Sequence, residues 1–310
     1  MDNKVLNGIL GLCVGDALGV PVEFVSRRVL NLNPVKDMQG YGSHNQAPGT
    51  WSDDSSLTLC LAESLCKGYD IYDIANKFHK WLYEGYWTAT GEVFDVGGTT
   101  RMALGHIKKV RHPSLAGGRG EHDNGNGSLM RILPIAFYVK NMKNEKKFSI
   151  ISEVSSITHG NIKSVIACSI YVEIAINLIK GQDIMDAYEN MKPVILEYYK
   201  KYPELESFRR ILYEDISDVQ EKEISSSGYV IDTLEASLWC CLNNSSYKEI
   251  VLKAINLGED TDTTGAVAGG LAGLMFGVKN IPKKWLNVLA RRDDIIELCE
   301  ILNKKLDNFL

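Results

Sequence analysis

The sequence has no excess of positive charge. It carries 34 basic against 39 acidic side chains, a formal net charge of −5, and a pI near 5.8. That argues against a protein gripping nucleic acid mainly through its phosphates, while leaving room for a local basic pocket. Cysteine is sparse and unpatterned: seven residues, an odd number, with no Cys-x-x-Cys and only Cys240 and Cys241 adjacent. This excludes a disulfide framework and reads as reduced, mostly buried thiols, for which the cytoplasm is the natural compartment. No apolar run reads as long enough to span a bilayer, so no membrane is expected. The start, Met1-Asp2-Asn3-Lys4, does not have the form of a secretory signal. No alternating stretch is long enough to insist on a β-strand, and neither a fixed-period repeat nor a low-complexity linker is found. What is left is the composition of an ordinary globular protein, 45% hydrophobic and 24% charged over 310 residues, with room for a substantial core.

Helical spacing of apolar residues recurs over 5–17, 57–65, 71–83, 99–110, 131–139, 151–157, 163–180, 184–199, 205–213, 233–242 and 247–257. Within the first of these, Gly11-x-x-x-Gly15 lets another backbone approach closely. Residues 31–49, rich in Gly, Pro and Asn, form a long loop, and long ordered loops are often functional. The polar turn 219–228 is a possible domain boundary. Acidic clusters lie on both sides of it, however. If they meet, residues 1–310 form one compact all-α bundle of orthogonally packed helices, with its site at converging loops and helix N-termini.

The first cluster is Gly258-Glu259-Asp260-Thr261-Asp262-Thr263-Thr264, followed at once by small apolar residues. Acids crowded at the mouth of an apolar helix repel one another unless something positive sits among them. Two aspartates at i, i+2 with a threonine beside them suit a hard divalent cation, and they equally suit a plain N-cap cluster. The second cluster, Trp51-Ser52-Asp53-Asp54-Ser55, again stands directly before an apolar segment. Brought together, the two mouths supply four carboxylates, enough for one or two ions of the Mg²⁺ class. Three further polar loops punctuate the helices. Asp95-Val96-Gly97-Gly98-Thr99-Thr100 opens a helix. Asn124-Gly125-Asn126-Gly127-Ser128-Leu129-Met130-Arg131 offers amides and a cation suited to a phosphate, or is a flexible loop capped by Ser128. Thr158-His159 places a histidine that is either a ligand contact or structural. Asp16 and Glu23, flanking the end of the first helix, read first as capping or salt-bridged acids, and Tyr229 first as a core aromatic.

Taken together these stretches resemble the ADP-ribosylglycohydrolase family, which includes the dinitrogenase-reductase-activating glycohydrolases. The matching pieces are Gly15-Asp16-Ala17-Leu18-Gly19-Val20-Pro21-Val22-Glu23-Phe24, Trp51-Ser52-Asp53-Asp54, Phe94-Asp95-Val96-Gly97, Gly125 to Arg131, Thr158-His159, Gly228-Tyr229-Val230 and Gly258 to Thr263. The resemblance implies an all-α fold with a binuclear Mg²⁺ or Mn²⁺ centre. Ser52, Asp53 and Asp54 match one metal-binding motif, and Asp260, Asp262 and Thr263 the other. Asn126, Gly127, Ser128 and Met130 match a loop that holds ribose and phosphates. His159 and Tyr229 match positions near the adenosine half, Glu23 an acid near the distal ribose, and Asp95 an acid beside the scissile bond in arginine-directed members. Two positions depart: Ser52 stands where some members have threonine, and Gly98 where an asparagine is common in the nitrogenase-regulating branch.

The resemblance further implies hydrolysis of an ADP-ribosyl group from a modified protein, first of all from arginine by cleavage of its N-glycosidic bond, through an oxocarbenium-like state at the distal ribose. Asp54 or Asp262 would take the proton of the attacking water, and Asp95 would assist the leaving nitrogen. The alternatives are a serine- or base-linked substrate, a non-catalytic ADP-ribose-binding or crystallin-like protein, and an unrelated two-metal phosphohydrolase.

Overall fold

The computed structural model describes residues 3–308, so Met1 and Asp2 of the sequence start lie outside the described residues. Fifteen α-helices succeed one another there, and among the described residues there is no β-strand. In chain order they are Lys4–Gly19 (α1), Arg27–Leu32 (α2), Asp53–Leu65 (α3), Ile71–Glu84 (α4), Gly98–His106 (α5), Leu133–Val139 (α6), Asn144–Ser155 (α7), Ile162–Ile179 (α8), Ile184–Tyr199 (α9), Arg209–Leu212 (α10), Val230–Asn243 (α11), Tyr247–Asn256 (α12), Thr261–Phe276 (α13), Lys283–Val288 (α14) and Arg292–Asn308 (α15). Local chemistry sets their ends. Asn3 accepts from the Leu6 amide to start α1. Asp70 accepts from the Tyr72 amide to start α4, which stops at Gly85 in the left-handed region.

The fold is built on α1 and α13, which touch backbone to backbone. A Cβ placed on Gly11 would lie 2.4 Å from the Gly269 carbonyl oxygen. One on Gly15 would lie 2.0 Å from that of Gly265, and one on Gly273 2.2 Å from that of Asn7. Glycines four apart on both helices therefore make the contact, and no other residue leaves the space. At the end of this seam Gly19 lies against Asp262, and the Thr261 hydroxyl donates to the Gly19 carbonyl at 2.8 Å. The seam thereby fixes where the second acidic cluster sits.

Several expectations change. The segment Lys4–Val22 and the helix α8 are each long and apolar enough to cross a membrane by composition, at mean hydropathies of 1.7 and 1.8. In the fold 94% and 83% of these windows are buried inside the protein, so their apolar character serves the core. The helix expected at 151–157 starts seven residues earlier, at Asn144, because Lys147 and Phe148 are also buried, the former paired with Glu173. The one expected at 205–213 becomes a 3-10 stretch opened by Pro203, followed by the short α10. The polar turn 219–228 is tied down: Arg27 donates to the carbonyls of Leu257 at 2.8 Å and Glu221 at 2.8 Å, and to that of Ile224. All seven cysteines are unpaired and six are buried.

Candidate active site

Ser52 caps α3, its hydroxyl accepting from the Asp54 amide at 3.3 Å. Asp53 and Asp54 thus occupy the first turn, where the helix dipole favours anions. Asp16, near the end of α1, reaches across to this cap. Its carboxylate accepts from the Ser52 amide at 3.0 Å, from the Ser55 amide at 3.0 Å and from the Ser55 hydroxyl. It is a capping acid as first read, but for a different helix.

The second pair arrives on α13. The chain turns through Gly258 and Glu259, both left-handed at φ +83° and +61°, and Asp260 becomes the N-cap residue without using its own side chain to cap. Asp262 is fully buried and accepts from the Thr263 amide at 2.9 Å. The two helix mouths meet across 209 residues of sequence. The Thr263 hydroxyl donates to Asp54 Oδ2 at 3.3 Å, and the Ser52 hydroxyl donates to the same oxygen at 3.1 Å. Asn126 donates to Asp260 at 2.9 Å and to Thr233 at 2.9 Å. Oxygens of Glu23, Asp260 and Asp262 lie within 4.8 Å of one another.

These carboxylates are electrostatically unsatisfied. Asp54 Oδ1, Asp260 Oδ1 and Asp262 Oδ2 are buried without any hydrogen-bond partner. Burial raises all four aspartates above the usual carboxylate range. Repulsion adds to this, from Asp95 and Asp54 on Asp53, from Asp16 and Asp260 on Asp54, from Asp95 on Asp260, and from Glu23 and Asp54 on Asp262. A buried anionic oxygen with no partner is costly, and a set made only of carboxylate and hydroxyl oxygens fits a hard divalent cation.

A third group closes the site. Glu23, buried just after α1, is bonded to His44, and the two lie with Asp95 inside a 4.8 Å cluster. Burial pushes the Glu23 carboxyl up to about 7 against the opposing pull of the His44 bond, and that bond raises His44. His44 belongs to the long loop read from composition, but nothing in the sequence around it marked it as a partner of Glu23. Asp95 is held at φ +52°, a strained conformation of the kind that collects at functional sites. A cleft of about 380 Å³ runs beside these groups, its lining including Glu23, Asp53, Asp95, Asp260 and Thr263 together with Gly125, Asn126, Gly127, Met130 and His159. Asp54 and Asp262 sit behind that lining.

The remaining residues divide. Ser128 is fully buried, with its hydroxyl on Ser155 at 2.9 Å and Cys168 at 3.4 Å, so it faces the interior and not the cleft. Arg131 likewise points inward. It bonds the Gly127 carbonyl, the Val154 carbonyl at 3.3 Å and the Thr158 hydroxyl at 2.8 Å, with its guanidinium over Phe78. It shapes the glycine loop and is no phosphate contact. Arg131→Met should therefore cost about 3 kcal/mol by leaving these acceptors unpaired, read from urea unfolding. The Thr158 hydroxyl, which accepts from Arg131, is also hydrogen-bonded to His159 Nδ1 at 2.8 Å, fixing the ring so that its other edge lies by Gly125 and Gly127. Burial, reinforced by Arg131, pushes His159 down to about 3, so the ring stays neutral. Tyr229 pairs through its backbone with Gly125, and its half-buried ring, beside Lys163, is outside the cleft lining.

An all-α frame that gathers buried, unpartnered carboxylates along a cleft fits the class of carboxylate-rich hydrolases, whose oxygens suit a hard cation. The sequence pattern of the ADP-ribosylglycohydrolase family matches residues 1–308, and the chain belongs to that family and is a hydrolase of it. It is 34% identical to the ADP-ribosylarginine hydrolase Tri1 of Serratia proteamaculans, over 97% of this chain and 79% of that protein. It is 30% identical to the ADP-ribosyl-[dinitrogen reductase] glycohydrolase of Rhodospirillum rubrum, over 93% of this chain and 90% of that protein. A solved structure described as an ADP-ribosylglycohydrolase-related protein complex superposes with a TM-score of 0.82 at 31% identity, covering 98% of each chain.

Proposed function

We propose that this protein removes ADP-ribose from modified arginine side chains of proteins, hydrolysing the N-glycosidic bond at the distal ribose with two Mg²⁺ or Mn²⁺ ions. The observation that carries the reading is the convergence of Asp53, Asp54, Asp260 and Asp262, three of them with an unpartnered oxygen, beside a cleft that also holds Asp95. The arginine linkage is supported by the relative named for it.

Asp53, Asp54, Asp260 and Asp262, with Ser52 and Thr263 beside them, are the oxygens that would hold the ions. When bound, such ions draw charge from the ribose hydroxyls and acidify water. Asp54 and Asp262 each keep one oxygen free of hydrogen bonds, as a proton acceptor requires. Asp95, in the cleft lining, would hold or protonate the leaving nitrogen, since an unactivated guanidine leaves poorly without such help. Asn126, Gly127 and Met130, which also line the cleft, would cradle the ribose and phosphates, giving binding energy remote from the reacting bond. The neutral His159 ring lies beside them in the cleft lining. Ser128 supports this loop from behind, and Tyr229 brackets it through the Gly125 pairing.

The test is incubation with arginine-, serine- and base-linked ADP-ribose conjugates, with and without magnesium. Free ADP-ribose should appear from the arginine conjugate in magnesium alone, and Asp95→Ala should slow that release about a hundredfold. Release of inorganic phosphate in its place, or turnover of the serine conjugate only, would overturn the reading.

A further inference from the structure

Phe24 is anomalous in two ways at once. Its ring lines the cleft yet is 68% exposed, and its backbone is left-handed at φ +64°. A bulky side chain in that region is an outlier that persists only when its surroundings impose it. Here they do. The Phe24 amide donates to the Glu259 carbonyl at 2.6 Å, the Glu259 amide donates to the Val25 carbonyl at 2.9 Å, and Glu259 is left-handed too. This clasp joins the chain leaving α1 to the turn entering α13. The strain is therefore spent on holding a phenyl ring out in solvent, where burial returns nothing.

The position of the ring gives it a use. Its centroid is 5.9 Å from the His44 ring, which is 5.3 Å from that of Phe94. Since His44 clusters with Glu23 and Asp95, both phenyl rings lie beside this Glu-His-Asp group. The glycine loop and His159, which approach each other closely, line the same cleft, and Asn126 of that loop bonds Asp260. An ADP-ribose seated against that loop with its reacting ribose at Asp260 and Glu23 would bring the group on its anomeric carbon beside Phe24, which follows Glu23 in the same lining. A guanidinium is a planar, delocalised, weakly hydrated cation that stacks on aromatic faces, and the neighbouring carboxylates match its charge. A serine hydroxyl has neither plane nor charge.

We propose that Phe24 is the platform on which the substrate's arginine guanidinium stacks, selecting arginine-linked over serine-linked ADP-ribose. This rests on the arginine reading given above. The experiment compares Phe24→Leu, Phe24→Trp and Phe24→Gly with the wild type in magnesium. It measures KM and kcat for ADP-ribosylarginine, inhibition by free ADP-ribose, which lacks the leaving group, and Tm. Phe24→Leu should raise KM roughly ten-fold with inhibition by ADP-ribose unchanged, and Phe24→Trp should restore KM. Phe24→Gly should lose affinity as Phe24→Leu does without any fall in Tm, because glycine relieves the left-handed backbone. Wild-type KM in Phe24→Leu, or a parallel loss of ADP-ribose inhibition, overturns the platform alone. A wild type that leaves the arginine conjugate intact overturns the arginine reading together with it.

Discussion

Asp262→Asn should abolish hydrolysis, by about a thousandfold or more, and yet raise the Tm of the metal-free protein. Both outcomes come from one arrangement. Asp262 is buried with Oδ2 unpartnered, and Glu23, Asp54, Asp95 and Asp260 all raise its pKa after burial itself. Without a cation the folded state confines these like charges, so removing one relieves it. With a cation the same charge is a ligand, so removing it loses the ion and the chemistry. The pH dependence follows with a definite sign. Carboxyls whose folded pKa is raised bind more protons in the folded than in the unfolded state, so their contribution is complete below the unfolded value and is lost as pH climbs through the folded one. Asp16 is pushed up to about 6 and Glu23 to about 7, while Asp53, Asp54 and Asp262 are well above normal, all led by burial. Metal-free wild type should therefore become less stable from the unfolded carboxylate range, near pH 4, through about pH 7. Magnesium should flatten that fall in the wild type and do so much less in Asp262→Asn. Thermal melts across pH in chelator and in magnesium measure this. A variant that melts lower than wild type without metal, or still turns over, contradicts the account.

The acidic centre was legible because its logic is local. Asp53-Asp54 and Asp260-x-Asp262 each stand at a helix mouth before an apolar run, and that placement is chemically awkward without a cation. What sequence could not supply was direction. Ser128 and Arg131 sit in the same glycine loop as Asn126 and Gly127, but one turn of backbone sends the first two inward and leaves the others on the cleft. Composition reads a loop's inventory and not its facing. His44 was invisible for a related reason. Its bond to Glu23 is made by a long loop whose path depends on the finished fold. The helices that escaped notice differ in kind. In α15, Ile295, Leu298, Cys299, Leu302 and Leu306 repeat at helical spacing and are buried, so that stripe was readable. The short α2 and α14, of six residues each, show too few turns for periodicity to register.

Gly15→Ala should destabilise the protein strongly, because a single methyl there drives α1 into α13. The added Cβ would sit 2.0 Å from the Gly265 carbonyl oxygen and 2.6 Å from its carbon, both rigid backbone atoms in the middle of α13. No rotamer relieves this, so α1 and α13 must separate by roughly an ångström, along a core packed like a solid. The cost is expected at about 3 kcal/mol, the upper range for overpacking. It should also appear in catalysis beyond any loss of folded protein, because the same seam positions Asp262 against Gly19 and Thr261 on the Gly19 carbonyl. Gly105→Ala supplies the contrast. Gly105 also lies inside a helix, α5, but is exposed, and its nearest foreign atom is the Tyr83 hydroxyl at 3.7 Å. There the same methyl removes backbone freedom from the unfolded chain with nothing to strike, and should stabilise by about 0.5–1 kcal/mol. Urea unfolding of the two variants should therefore move in opposite directions. Equal shifts would mean that α1 and α13 do not meet along their glycines, and the positions of Asp262 and its partners would lose their support.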